Sequence, residues 1–325
     1  MKHKKIKQRL LLATAFTGLV VGVACVYVGN YFVNYALVRP EDNVVDKRSP
    51  SYEPPTGEPE VDTPEDIKVR NWKSEHPPVE LELTSNDGLK LWASRYDNPE
   101  SDLWVIAVHG YQSDHTSVED YAYEYHTRGY NVLIPDLRAH GNSEGEYIGM
   151  GLHDSHDLRL WIDMIVSENA ETKIVLHGQS MGAATVLITA GEETLPDNVV
   201  AIISDSGYTN GYEMMVEQLD YRFNLPAFPI IDLATLTARV RADYNLHDVS
   251  PINSLATAKL PILFIHGDAD NFVLPYMHTE LFNAYQGEKE SLIVEGADHV
   301  DSRIVDPDLF YSTVFNFLGK HLPNH

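Results

Sequence analysis

Two rhythms of apolar and polar residues divide this chain. Residues 79–84 alternate apolar and charged positions, Asn86-Asp87-Gly88 marks a turn, and 89–96 alternate again. A period of two on both sides of a turn predicts a β-hairpin. Beyond it, short apolar runs alternate with segments of helical period. The runs at 103–108, 131–134, 173–177, 199–203, 261–265 and 291–294 predict strands. The segments 117–128, 154–166, 181–190, 275–285 and 309–318 predict helices. Such alternation predicts an α/β fold with a mostly parallel sheet covered on both faces, here with the antiparallel hairpin at one edge. Sites on these sheets lie beyond the carboxyl ends of the strands. Residues 207–255 interrupt the rhythm with Tyr208, Tyr212, Tyr221, Phe223, Pro226, Phe228 and Pro229. They predict short helices inserted before the next strand, a small helical lid.

The amino-terminal pattern is different. Residues 10–33 carry no charged side chain, five basic residues precede them, and Glu41, Asp42 and Asp46 follow. As a helix, a run of that length crosses a hydrocarbon core of about 30 Å. Tyr27, Tyr31 and Tyr35 cluster at its far end like an interfacial belt. The charge asymmetry places 1–9 in the cytoplasm as a basic tail and everything after about residue 36 outside the cell. A cleaved signal peptide is the rival reading. The length of the run and the lack of a small-x-small cleavage site oppose it. Cys25 is the only cysteine, so no internal disulfide forms. Gly-Val-Ala before it, and the apolar run after it, oppose lipidation. Residues 40 to about 66 hold six prolines and nine acidic residues without an apolar period. The stretch 34–78 therefore reads as an acidic, proline-rich linker, a spacer that holds the domain at 79–325 off the membrane.

The chain's 325 residues, 43% of them hydrophobic, allow one large core with extras. Outside residues 1–40, 18 basic and 48 acidic side chains give a formal charge of −30. Nucleic acid is thereby excluded as a partner, because phosphate binding needs surplus Lys and Arg.

Candidate chemistry centres on Gly178-Gln179-Ser180-Met181-Gly182, a G-x-S-x-G pattern between a predicted strand and a predicted helix. A serine on such a turn projects its hydroxyl at the sheet end, and the helix N-terminus behind it offers N–H groups to an oxyanion. Acyl transfer through serine also needs a base and an orienting carboxylate. His299 follows the strand at 291–294 and is the candidate base. Asp270 follows the strand at 261–265 and is the candidate acid, with Asp268 and Asp205 as rivals. Asp298 reads as a loop residue. His109-Gly110-Tyr111 follows the strand ending at Val108. The small Gly110 admits close approach, so the N–H groups of Tyr111 and Met181 are the candidate oxyanion hole. His109 reads as bonding within its own loop. His153 and His156, with His140 nearby, lack a metal-site companion motif and read as a solvated helix start, so no metal is expected. Tyr121, Tyr123 and Tyr125 read as packing residues.

Together these motifs resemble an α/β-hydrolase over about 79–320. Pro135-Asp136-Leu137-Arg138-Ala139-His140-Gly141-Asn142-Ser143 resembles the D-x-R-G-H-G-x-S stretch of the serine aminopeptidase and monoacylglycerol-lipase-like branch, with Ala139 in place of the usual glycine. His266-Gly267-Asp268-Ala269-Asp270-Asn271-Phe272-Val273 resembles H-G-x-x-D-x-x-V, where the resemblance makes the second aspartate, Asp270, the acid. The usual V-P is here Val273-Leu274-Pro275, so the following helix is expected to begin a residue late. The anchor, the exit Asn34-Tyr35-Ala36-Leu37 and the stretch 147–151 resemble membrane-bound cell-surface hydrolases of Gram-positive bacteria. The resemblance implies a monomeric serine hydrolase with no cofactor. The leading expectation is an extracellular carboxylesterase or acylglycerol lipase. The alternatives are a peptidase, whose substrate amine Glu213, Glu217 or Asp220 of the lid could hold, and a non-catalytic surface-binding protein.

Overall fold

The computed structural model describes residues 2–39 and 63–322. Eight strands form one sheet: β1 (Val79–Thr84), β2 (Lys90–Tyr96), β3 (Leu103–Val108), β4 (Asn131–Asp136), β5 (Lys173–Gln179), β6 (Val199–Asp205), β7 (Ile262–Gly267) and β8 (Lys289–Val294). Their order is β1-β2-β4-β3-β5-β6-β7-β8. The edge hairpin is antiparallel, β2 meets β4 antiparallel, and every later pairing is parallel. Two helices, α1 (Lys2–Ala36) and α2 (Pro64–Glu75), precede the sheet. Those interleaved with it are α3 (Glu119–His126), α4 (Leu152–Glu168), α5 (Met181–Ala190), the lid group α6 (Gly211–Phe223), α7 (Ala227–Arg241) and α8 (Pro251–Ser254), then α9 (Pro275–Ala284), α10 (Ser302–Val305) and α11 (Pro307–His321).

Alternation along the strands builds a core on each face. Leu103, Val105 and Ala107 of β3 join Tyr121 and Tyr125 of α3 and Phe310 and Phe317 of α11. Trp104, Ile106 and Val108 turn the other way, to Leu158 and Trp161 of α4 and Ala184 and Leu187 of α5. Each such apolar side chain contributes about 1.5–3 kcal/mol on burial. All ten residues of α5 are buried, which seats the helix behind Ser180 inside the core.

The structure departs from the sequence reading at the amino-terminal side. The helix expected over 10–33 continues to Ala36, and its last turns pack on the domain. Burial recurs at Gly29, Val33 and Leu37, a helical period, and Val33 and Leu37 join the core. A Cβ at Gly29 would stand 2.2 Å from Thr237 Oγ1 and 2.8 Å from the Leu233 carbonyl oxygen, so glycine lets α1 lie against α7. Arg241 Nη1 donates to Asn30 Oδ1 at 2.9 Å and Asn34 Oδ1 at 2.6 Å. Arg39 donates to the carbonyls of Gly141 and Ser143 at 2.6 and 2.5 Å, and Ile148 N–H donates to the Leu37 carbonyl at 2.7 Å. Residues 34–39 are therefore part of the domain rather than the start of a spacer. The spacer's stretch at 40–62 lies outside the described residues. The remainder of the expected linker also contains structure. Thr63 and Asp66 form a capping box on α2, and Trp72 is buried against Tyr96 and His126. One buried aromatic in a run of charges gives no apolar period, which is why the pattern concealed this helix.

Smaller differences follow from local capping. An Asp114-capped 3-10 turn at His115–Val118 precedes α3, so the helix begins two residues after the expected start. The start of α4 is only partly solvated, with His156 exposed. Asp154 and Ser155 are buried, and His153 packs on Tyr244. Helix α9 begins at Pro275.

Candidate active site

Steric fit at the β5–α5 turn explains its two glycines. A Cβ at Gly178 would stand 2.1 Å from the Gly182 carbonyl oxygen, and one at Gly182 would stand 2.1 Å from that of Val108. Only hydrogen fits at either place, so the strand and helix meet at closest approach. The turn holds Ser180 at φ 55° and ψ −118°, a conformation L-residues rarely adopt and one that persists only where its surroundings enforce it. Here the Ser180 N–H donates to the Asp205 carbonyl at 2.8 Å, and Ala184 N–H donates to the Ser180 carbonyl at 3.1 Å.

Ser180 Oγ lies 2.8 Å from His299 Nε2, and His299 Nδ1 lies 2.8 Å from Asp270 Oδ2. The carboxylate only accepts, so Nδ1 carries the proton and Nε2 is left to accept from the serine hydroxyl. Asp270 Oδ1 accepts from the N–H groups of Phe272 and Val273, each at 2.8 Å. His266 Nε2–H is shared between the Val273 carbonyl at 2.8 Å and Asp270 Oδ2 at 3.2 Å. Burial alone would raise the Asp270 pKa. The hydrogen bonds from His266 and His299 outweigh it and hold the group far below the usual carboxylate range. The Phe272 ring covers His299 at a centroid distance of 4.8 Å.

The rival carboxylates sit elsewhere. Asp205 is fully buried beneath the turn, accepting from Tyr121 Oη at 2.8 Å and Ser206 Oγ at 3.0 Å. Asp268 accepts from Gly296 N–H at 2.6 Å, which closes a turn. Asp298 accepts from the N–H groups of Asn271 and His299, at 3.2 and 2.8 Å.

Tyr111 and Met181 flank Ser180 on two sides. A Cβ at Gly110 would stand 3.3 Å from the Ser180 Cβ, so the β3 loop passes directly over the serine. Two buried histidines pin that loop. His109 Nδ1–H donates to the Gly110 carbonyl at 2.8 Å while its Nε2 accepts from Leu137 N–H at 3.0 Å. His140 Nδ1–H donates to the Arg138 carbonyl at 2.8 Å, and its Nε2 accepts from Gln112 N–H at 3.0 Å. Burial lowers the pKa of both, that of His140 to about 3, so both stay neutral and keep this pattern. Sequence reasoning gave His140 no such task, nor did it find His266 or Phe272. The H-G-x-x-D stretch carried the signal for His266, four residues before Asp270. The usual glycine at position 139 has a backbone reason that Ala139 goes against: this residue has φ 61°, where glycine is the unstrained choice. Among the described residues no group of three His, Cys, Asp or Glu is placed to hold a metal ion.

Beside Tyr111 an apolar cavity opens between the end of α1 and the lid. Phe32, Val33 and Ala36 form one wall, and Met215, Leu219 and Ile231 face them. The Tyr111 hydroxyl donates to the Ala36 carbonyl at 2.7 Å.

The chain and its fold are similar to several known proteins. The profile of the serine aminopeptidase S33 family matches residues 99–223. YfhR of Salmonella typhimurium, an uncharacterized protein, is 31% identical over 248 residues, 69% of this chain and 76% of its own length. YqkD of Bacillus subtilis, also uncharacterized, is 29% identical over 227 residues, 69% of this chain and 73% of its own. Among solved structures, the esterase Pf2001 of Pyrococcus furiosus superposes with a TM-score of 0.62 at 25% identity, covering 80% of this chain and 96% of that one. An acylaminoacyl peptidase of Pyrococcus horikoshii shares the fold, with a TM-score of 0.58 at 19% identity over 76% of this chain and 42% of its own. The chain belongs to the α/β-hydrolase superfamily and is a hydrolase.

Proposed function

We propose that this chain is a membrane-anchored serine hydrolase that cleaves carboxylic esters, acylglycerols among them, on the outer side of the cell membrane. The observation that carries the chemistry is the unbroken hydrogen-bonded line from Ser180 Oγ through His299 to Asp270 Oδ2. In this reading Ser180 attacks the acyl carbonyl and His299 Nε2 takes its proton. Asp270 holds the ring and steadies the imidazolium. The N–H groups of Tyr111 and Met181 receive the oxyanion. The proton passes to the leaving alcohol, and water, activated by His299, then frees the acyl group from Ser180. None of these steps calls on a cofactor.

The cavity lining favours an acyl ester. Its walls are mainly apolar, with Gln218 and Arg222 among the polar members, and the lid carboxylates that could hold a substrate amine do not line it. Glu213 accepts from Thr209 Oγ1 at 2.7 Å and Glu217 from Tyr276 Oη at 3.0 Å, while Asp220 is exposed. The match to a serine aminopeptidase profile favours a peptidase as the second reading. Helix α1 supports the anchor: Leu10–Ala36 is long and apolar enough to cross a membrane, and the basic residues before it favour a cytoplasmic amino terminus.

A fluorophosphonate reagent should label the full chain at Ser180. A folded protein that stays unlabelled would remove the nucleophile. Short acyl p-nitrophenyl esters should turn over faster than aminoacyl anilides, and the opposite order would establish the peptidase. Protease added to intact cells should release the domain. Its protection behind an intact membrane would reverse the orientation.

A further inference from the structure

Helix α1 does more in this structure than a tether requires. A hydrocarbon core of about 30 Å takes roughly twenty helical residues, and the apolar stretch Leu10–Ala36 has 27. The surplus lies at the carboxyl end, where the helix packs on α7 and walls the cavity beside Tyr111. The contacts there are specific. Phe32 and Tyr35 meet the Phe223 ring edge-on at 5.5 and 5.2 Å, and the Ala36 carbonyl takes the Tyr111 hydroxyl. The opposite wall is tied to the loop that carries Asp270, because Gln218 Nε2 donates to the carbonyl of Phe272 at 2.9 Å, the residue whose ring packs on His299.

From this juxtaposition we infer that the last turns of α1 form one wall of the substrate's acyl-chain pocket, so that the substrate is an ester resident in the same bilayer. The inference rests on the acyl-transfer reading of Ser180 and adds its substrate class. Two further observations accord with a membrane acyl chain. The cavity volume is about 60 Å³, room for several water-sized groups, so only the carbons nearest the carbonyl are enclosed. The rest of a long chain must continue over neighbouring surface. That surface is apolar and exposed. Tyr221, Leu225 and Phe228 surround the α6–α7 turn, and Val26, Tyr27 and Tyr31 lie on α1. Exposed apolar area of this kind marks an interaction surface, and α1, read as crossing the membrane, would bring lipid to it. A chain reaching Ser180 by this path passes from bilayer to pocket without crossing water.

The test uses the full chain in phosphatidylcholine vesicles and an alkyl fluorophosphonate bearing a diazirine on its alkyl chain. After Ser180 has reacted, irradiation should attach the chain to Phe32, Val33 or Ala36 of α1, with Met215 or Ile231 as the lid partners. If Ser180 is labelled and the attachments fall only on elements outside α1, this inference is overturned and the serine hydrolase stands. If Ser180 is not labelled, both fall. A second measurement uses selectivity. Val33→Trp narrows the pocket from the helix side and should lower the ratio of kcat/KM for a long-chain ester over a short one by about ten-fold or more. Met215→Trp narrows it from the lid side and should do the same if the helix variant fails to insert. An unchanged ratio in the folded variants overturns the inference.

Discussion

At the β5–α5 turn, backbone touches backbone. Gly178 meets the Gly182 carbonyl, and Gly182 meets that of Val108. Close contacts within the turn, and with Val108 and Asp205 at the ends of neighbouring strands, fix the position of Ser180. On the lid side, the end of α1 meets α6 and α7, elements roughly two hundred residues further along the chain. The contacts there are interleaved side chains, one arginine clamp from Arg241 and one glycine. The first region is over-determined and close-packed. The second is an interface between two pieces of one chain. On the proposed reading, the difference teaches that chemistry and substrate access are built by separable devices, and each can be attacked without the other.

The largest effects belong to the close-packed region. Asp270→Asn should lower kcat/KM for a short ester by about 10³–10⁴-fold, because the amide can no longer fix the His299 tautomer or steady its charge. Asp205→Asn should leave turnover within about ten-fold and instead lower the melting temperature, since it disturbs a fully buried acceptor of the Tyr121 and Ser206 hydroxyls. Steady-state kinetics and thermal melts on both variants separate the roles. The opposite assignment would move the acid to the end of β6.

Next in size is a pair of glycine substitutions that sets the two regions against each other. Gly182→Ala drives a methyl into the Val108 carbonyl and should cost about 1–3 kcal/mol or more, with activity lost alongside stability. Gly29→Val drives its side chain into α7 at Leu233 and Thr237. It should loosen α1 from the lid while a small fluorophosphonate still labels Ser180. Equal loss of labelling in both variants would show that the regions are one mechanical unit.

The same contrast explains which parts were legible beforehand. The sheet, its helices and the Ser180, Asp270 and His299 positions could be read because each depends on a local period or a short motif at a strand end. Helix α2 was hidden because its stability rests on a capping box and one buried tryptophan, neither of which makes a periodic stripe. The docking of α1 was hidden for a stronger reason. An apolar run reads the same whether lipid or protein covers it, and Gly29 looks like any small residue in a membrane helix until Thr237 is beside it. The polar pins, His140 and His266, were visible as letters but not as tasks, because most of their partners are backbone groups, which leave no mark in the sequence.

The effect furthest from the chemistry is a pH dependence of stability on the lid side. Asp154 is fully buried under the 147–151 loop, whose Tyr147 and Ile148 receive the chain leaving α1. Its Oδ2 accepts from Gly151 N–H at 2.7 Å, and Tyr208 and Tyr244 donate to the carbonyls of Met150 and Ile148 beside it. Burial raises its pKa to about 7, only partly offset by the Gly151 N–H, with Asp157 adding to the rise and Arg138 opposing it. In the unfolded chain the group returns to about 3.9. Between those values the folded protein binds the proton and the unfolded chain does not, so this group makes stability fall as pH rises from about 4 to about 7. Asp154→Asn keeps an acceptor for Gly151 but cannot ionise. The melting temperature of the variant should therefore decline less steeply over that range than that of the parent, with the two curves diverging most near neutrality. Parallel curves would mean that Asp154 is ionised in the fold already, and that the loop receiving α1 is insensitive to pH.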